Sequence, residues 1–413
     1  MHAKRLLICG VLALLACSLF DLNFALPAKA ADAPTEPVPV FAVDPGWPEI
    51  PNGWTLGLVS KISIDRHGNI WIIHRPSTVA AGKTAAPPVI ELDSTGKLVR
   101  SWGGQAAGYD WPLFEHNIFV DTKDNVYISG SSPNGADPKA ASDDMILKFT
   151  ADGKFLKQFG GRSVSKGSTD TSSVNKPGDL YVWPKANELW VADGYGNRRV
   201  IVLDADNLTF KRMWGAFGKP PVDDAESGGP GMLGGAVGQK RPEGGGANPE
   251  PNATGPGPDS FTAPVHGVLI SNDDIVYVSD RANRRVQLFT PQGKYLDEFF
   301  VNRSGPRSET ASGLAFSTDR AQKYLYVADY GNSHILVLDR KSLKLLYQFG
   351  QRGTEPGNFR GIHHIAVDAQ GNLYTAEVAP GARVQRFLYK GLSDTLPSNA
   401  VSQAPLPPQQ KGN

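Results

Sequence analysis

Three histidines carry the strongest chemical signal in the sequence. His116 (FEHNIFVD), His266 (PVHGVLIS) and His363 (GIHHIAVD) each stand at the head of an alternating apolar segment. Three neutral imidazoles brought to one point make an open site for Zn²⁺, with a fourth position left for water or substrate. No metal-binding motif of short spacing is present, so the site depends on a repeat bringing these positions together. His364 competes with His363 for the third place. The pattern His-x-apolar-x-apolar-Asp, which runs from His116 to Asp121, selects His363, because Asp368 lies five residues on.

A second group of reactive side chains follows a different set of segments. These are IIHRP (72–76), ADGYGNRR (192–199), SDRANRRV (279–286) and ADYGNSH (328–334). Arg75, Tyr195 and Arg281 are the candidates here. Two guanidiniums suit a substrate carboxylate, which each can bind through two parallel hydrogen bonds. A tyrosine beside a metal and an arginine is expected to have its pKa lowered and to act as a base. Tyr330 is offset by one residue from the place of Tyr195. Arg198, Arg199, Arg284 and Arg285 fall in an Asp-x-x-Asn-x-Arg turn pattern and are expected to pack between repeats.

The elements that must position these groups form a repeat. Each unit reads as two alternating strands, a third strand, and a fourth ending in aromatic-Gly. The turns DRHGNIW (65–71), DTKDNVY (121–127) and DAQGNLY (368–374) are hairpin signals, since Asn, Asp and Gly tolerate positive φ. Aligned on their first two strands, six units place Ser60, His116, Asp179, His266, Ser312 and His363 in one register. Six four-stranded units predict an all-β, six-bladed β-propeller over residues 38–390. First strands line the channel of such a ring, and alternate blades stand about 120° apart. The three histidines, in units two, four and six, would then converge near one end of the axis. The turns after the second strands open on the same face, because the sheets are antiparallel. That brings Arg75, Tyr195 and Arg281 toward the metal. The Gly/Pro-rich stretch 219–262 reads as a long loop. The sixth unit lacks its fourth strand, and VPVFAVD (38–44) is expected to supply it and close the ring. Residues 31–37 read as a flexible leader and 391–413 as a disordered tail.

Composition sets the limits. The chain has 413 residues and a formal net charge of +1, which gives no electrostatic reason to propose nucleic acid as a partner. Lys4 and Arg5, an apolar run and ALPAKA-ADAP read as a signal peptide over 1–30, cleaved near Ala30; the apolar run is short for a membrane span. Lipidation at Cys17 is an alternative processing route. Both cysteines, Cys9 and Cys17, lie in this segment, so the processed chain uses no disulfide, thiolate ligand or Cys nucleophile. The expected product is a periplasmic or secreted monomer.

The repeats resemble NHL repeats, and HRP, GYGNRR and SDRANRR together with the alternating histidines resemble peptidyl-α-hydroxyglycine α-amidating lyase. The resemblance covers residues 38–390. It implies a catalytic zinc on His116, His266 and His363, with Tyr195, Arg75 and Arg281 as the active-site Tyr and Arg pair. It implies cleavage of a carboxylate-bearing small-molecule or peptide substrate, an N-acyl α-hydroxyglycine, to an amide and glyoxylate. Two positions depart from the family. Gly361 replaces a Met, and His364 replaces an Asp that helps hold a structural Ca²⁺, which counts against that ion here. Two other readings compete: a non-catalytic propeller that binds a protein or glycan, and a propeller hydrolase such as a lactonase, to whose site Asp179 could contribute.

Overall fold

A computed structural model describes residues 36–132, 140–223, 254–305, 307 and 309–401. The expected signal peptide, the greater part of the 219–262 loop and the end of the tail lie outside these residues. The described chain is all-β: six antiparallel sheets of four or five strands make a six-bladed propeller. The inner strands are Leu58–Ile64, Glu115–Val120, Asp179–Trp183, Val265–Ile270, Ala311–Phe316 and Ile362–Val367. Each touches the next, and the last touches the first. Among the described residues no helix is long and apolar enough to cross a membrane.

The recurring Asp and Asn of the turns have a common physical role. Asp65, Asp121 and Asp368 each accept, through one carboxylate oxygen, the backbone N–H groups two and four residues on. This satisfies donors that a tight turn leaves free. The second oxygen accepts from an aromatic of the following strand: Trp71 Nε1 at 3.0 Å, Tyr127 Oη at 3.1 Å and Tyr374 Oη at 2.9 Å. The aspartate thus ties each first hairpin to the packed layer beside it. Apolar clusters fill the spaces between neighbouring blades; Trp71, Trp111, Ile128 and Met145 belong to one of them.

Val38–Asp44 pairs antiparallel with Arg383–Ser393 and is the outer strand of the sixth sheet. The tail expectation needs correction over its first part. The strand continues to Ser393, and Ala400–Val401 adds to the outer edge of the fifth blade against Gln348 and Phe349. An exposed edge with unpaired backbone groups recruits such a segment. The described residues of this stretch, 219–223 and 254–262, contain no strand.

His74 shows how the Arg75 strand is anchored. Its Nδ1 accepts the Gly57 N–H at 3.0 Å and its Nε2 lies 3.0 Å from the Pro87 carbonyl, so the neutral ring uses both nitrogens. Burial pushes its pKa down to about 4.

Two predictions follow from these contacts. Phe41 is buried against Tyr326 and Phe349, so Phe41→Ala should cost about 3–5 kcal/mol in urea unfolding; an unchanged midpoint would mean the N-terminal strand is dispensable. The depressed His74 pKa means the unfolded chain, with an ordinary value of about 6.5, binds the extra proton. Its contribution is therefore complete above about pH 6.5 and is lost as pH falls toward 4. The slope of unfolding free energy between pH 7 and 5 should shrink in His74→Phe.

Candidate metal centre and active site

The three predicted histidines meet. His116, His266 and His363 are buried, and their candidate ligand nitrogens all lie within 4.8 Å of one another. His266 Nε2 is 2.9 Å from His363 Nε2, and the His116 ring centroid is 4.9 Å from that of His363. Burial, the largest cause, holds all three pKa values well below the usual imidazole range, and nearby guanidiniums push the same way. The rings are therefore neutral at neutral pH, the form that ligates metal. Two nitrogen lone pairs at 2.9 Å repel unless a cation or a proton lies between them.

A repeated backbone distortion aims these rings. The pairing of five of the six inner strands with their neighbours slips, at His116, His266 and His363, and at Ser60 and Ser312. A β-bulge inserts one residue and redirects its side chain. It also explains the His-His pair: His363 turns to the histidine cluster while His364 reaches toward Asp179, 3.6 Å away. The third blade corrects the sequence alignment. Its inner strand has no bulge, and Asp179 pairs with Ala192. Asp179 therefore stands in register with Lys61, Asn117, Gly267 and His364, one place along the channel, and Gly178 takes the slot of His116.

Blades one and five hold the candidate ligands through Ser60 and Ser312. His363 Nδ1 lies 2.7 Å from the Ser60 carbonyl, which can only accept, so Nδ1 carries the proton and Nε2 presents its lone pair inward. Ser312 Oγ is 3.4 Å from His266 Nδ1 and donates to the His363 carbonyl at 2.6 Å. His116 Nδ1 is buried without a hydrogen-bond partner among the described residues. Both serines were visible in the repeat register, and their alternation with the histidines was the available signal.

Tyr195, Arg75 and Arg281 reach the same end of the channel. Tyr195 Oη is 3.2 Å from His116 Nε2 and 3.4 Å from His363 Nε2, and Arg281 Nη1 donates to it at 3.3 Å. Arg281 lies between the rings of Tyr195 and Tyr330, at 5.6 and 5.2 Å, and 3.9 Å from the Glu309 carboxylate. Arg75 Nε donates to the Glu115 carbonyl at 2.7 Å, and its guanidinium stacks on Phe114 at 3.8 Å. Burial lowers the Arg75 pKa to about 10, which leaves it charged at neutral pH. The two arginines by themselves do not lower the Tyr195 pKa. Burial outweighs Arg281 and Arg75 and raises it, so the phenol is protonated. Glu309, in a stretch without repeat register, gave no sequence signal. Arg199 and Arg285 are fully buried and bonded to Asp193 and Asp280, the packing role expected of them.

Gly361 has a backbone reason to replace Met. Its φ is +82°, and a Cβ there would lie 2.6 Å from the Ala379 carbonyl. The implied calcium does not fit. Ca²⁺ takes about six to eight oxygens. The surroundings of His364 offer one carboxylate, Asp179, already engaged by the Lys61 ammonium and by the backbone N–H groups of Leu180 and Val268. The Lys61 and His364 pairing outweighs burial and holds the Asp179 pKa down at about 2.

The described chain is a propeller in which a buried cluster of histidines, flanked by Arg75 and Arg281, stands where the inner strands converge. No protein-family profile matches the chain. It is similar to "Peptidyl-alpha-hydroxyglycine alpha-amidating lyase 1" of Drosophila melanogaster, 24% identical over 391 residues, covering 86% of this chain and 61% of that protein. It is similar to "Probable peptidyl-alpha-hydroxyglycine alpha-amidating lyase pgal-1" of Caenorhabditis elegans, 26% identical over 338 residues, 79% of this chain and 81% of that protein. It is also similar to "NHL repeat-containing protein 3" of Mus musculus, 25% identical over 315 residues, 73% of this chain and 70% of that protein. The chain thus resembles amidating lyases and NHL-repeat proteins over most of its length, at low identity, and spans 61% of the Drosophila protein.

Removing a ligand and removing a supporting hydroxyl should differ in degree. His266→Ala is expected to abolish stoichiometric metal. Ser312→Ala should weaken binding about 10-fold to 100-fold in a competitive chelator titration. Equal affinity in Ser312→Ala and the parent would remove the hydroxyl from the supporting role.

Proposed function

We propose that the chain is an exported, zinc-dependent lyase that cleaves an N-acyl or peptidyl α-hydroxyglycine to an amide and glyoxylate. One observation carries the reading: the Tyr195 hydroxyl lies within hydrogen-bond reach of two clustered imidazoles and of Arg281. The donor set fits zinc, since three neutral nitrogen ligands with a fixed tautomer on His363 leave a coordination position open. When bound, the metal supplies Lewis acidity that polarises the hydroxyl and carboxylate oxygens of the substrate.

The protein's own groups do the rest. Arg75 and Arg281 hold the carboxylate and keep the carbinol carbon beside Tyr195. The reaction breaks the carbon–nitrogen bond. The hydroxyl loses its proton as its carbon becomes the aldehyde of glyoxylate, and the departing nitrogen gains one. A neutral Tyr195 can serve both needs as a relay, giving its proton to the nitrogen while receiving the hydroxyl proton. Export rests on the leader at residues 1–30.

The likeness to NHL repeat-containing protein 3 favours a second reading, a non-catalytic propeller. The lactonase reading is weakened because Asp179 is held by Lys61 and does not face the histidines.

Zinc-loaded protein should release glyoxylate from N-benzoyl-α-hydroxyglycine. Tyr195→Phe should lower kcat about 10²-fold to 10⁴-fold. Arg75→Ala should lower kcat/KM about 10-fold to 100-fold, as loss of a charge-assisted contact predicts. Stoichiometric zinc without glyoxylate release would sink the lyase reading, and absence of zinc would favour the binding propeller.

A further inference from the structure

One place along the channel from the histidines lies a second buried cluster that the proposed chemistry does not use. Lys61, Asp179 and His364 come from blades one, three and six and are 3, 5 and 8% exposed. The Lys61 ammonium bonds the Asp179 carboxylate and donates to the Leu180 carbonyl at 2.8 Å. The other Asp179 oxygen accepts the Val268 N–H of blade four at 3.1 Å. His364 Nε2 lies 3.6 Å from the first. Four of the six blades are thus joined across the axis by one carboxylate and one ammonium.

We infer that the Lys61 ammonium is the resident cation of this channel, doing by ion pairing what a bound divalent ion would otherwise do, and that the cluster holds the strand carrying His363. A carboxylate and a carbonyl facing inward on an axis call for a positive centre. A lysine side chain supplies it covalently, at the cost of desolvating the ammonium, which the paired carboxylate offsets. The oxygen count then leaves no calcium site. The cluster also divides the channel. Lys61, Asp179 and His364 line a cavity of about 310 Å³ that continues past Phe119, Phe316 and Gln322, away from the metal cluster.

The test is thermal unfolding of the full chain in EGTA and in added Ca²⁺. The two Tm values should agree; a Tm lowered by EGTA and restored by Ca²⁺ would overturn the inference, whatever the outcome of the glyoxylate assay. Lys61→Met strands a buried carboxylate and should lower Tm by roughly 5 °C or more. Lys61→Met/Asp179→Leu should recover part of that loss, and the pair remains measurable if the single variant fails to fold. No loss in the single variant would also overturn the idea. Lys61→Ala/His364→Asp, which exchanges the ammonium for a second carboxylate, should gain a Ca²⁺-dependent rise in Tm; indifference to Ca²⁺ would deny that the ammonium fills a cation position. The positioning part rests on the zinc reading: in folded Lys61→Met, zinc affinity should fall about tenfold, and Lys61→Arg should restore it in part. Unchanged affinity would remove the positioning role.

Discussion

The structure depends on a slip of one residue in the pairing of five inner strands. In a regular strand, neighbouring side chains point to opposite faces. The bulges at Ser60, His116, His266, Ser312 and His363 break that alternation where the blades converge. Two successive residues of one strand then serve different layers of the channel. One layer holds imidazoles and the serines that steady them. The next holds an ion pair. Without the bulges, His363 and His364 could not both be used.

Electrostatics divides the work between the layers. The upper layer keeps its imidazoles neutral by burial and surrounds them with two charged guanidiniums, so it has a standing demand for negative charge. Glu309 meets part of it beside Arg281, and the proposed carboxylate-bearing substrate would meet the rest. The lower layer is balanced internally, since Asp179 and Lys61 satisfy one another. A single channel thus carries both a cluster of neutral imidazoles and an internally paired layer of charge.

Much of this was legible in the sequence, for identifiable reasons. The Asp-x-x-x-Asn turns and apolar alternation repeat often enough to fix the blade count and the inner strands. The histidines were recoverable because they recur at one register. The bulges were not, because nothing in residue type distinguishes an inserted residue from a paired one. That is why Asp179 was placed a residue out of step. Glu309 and the raised Tyr195 pKa lay beyond reach too, since both follow from burial and from a loop without repeat. The ordered start of the tail, at Ala400–Val401, comes from an open blade edge that only the assembled sheet reveals.

The central claim is that three imidazoles from alternate blades share one ion. X-ray absorption at the zinc edge of the purified chain tests it most directly. The account predicts one zinc per chain with three nitrogen neighbours of imidazole type at about 2.0–2.1 Å and one oxygen ligand. Zinc bound chiefly through oxygen, or no stoichiometric metal under zinc-replete conditions, would contradict it.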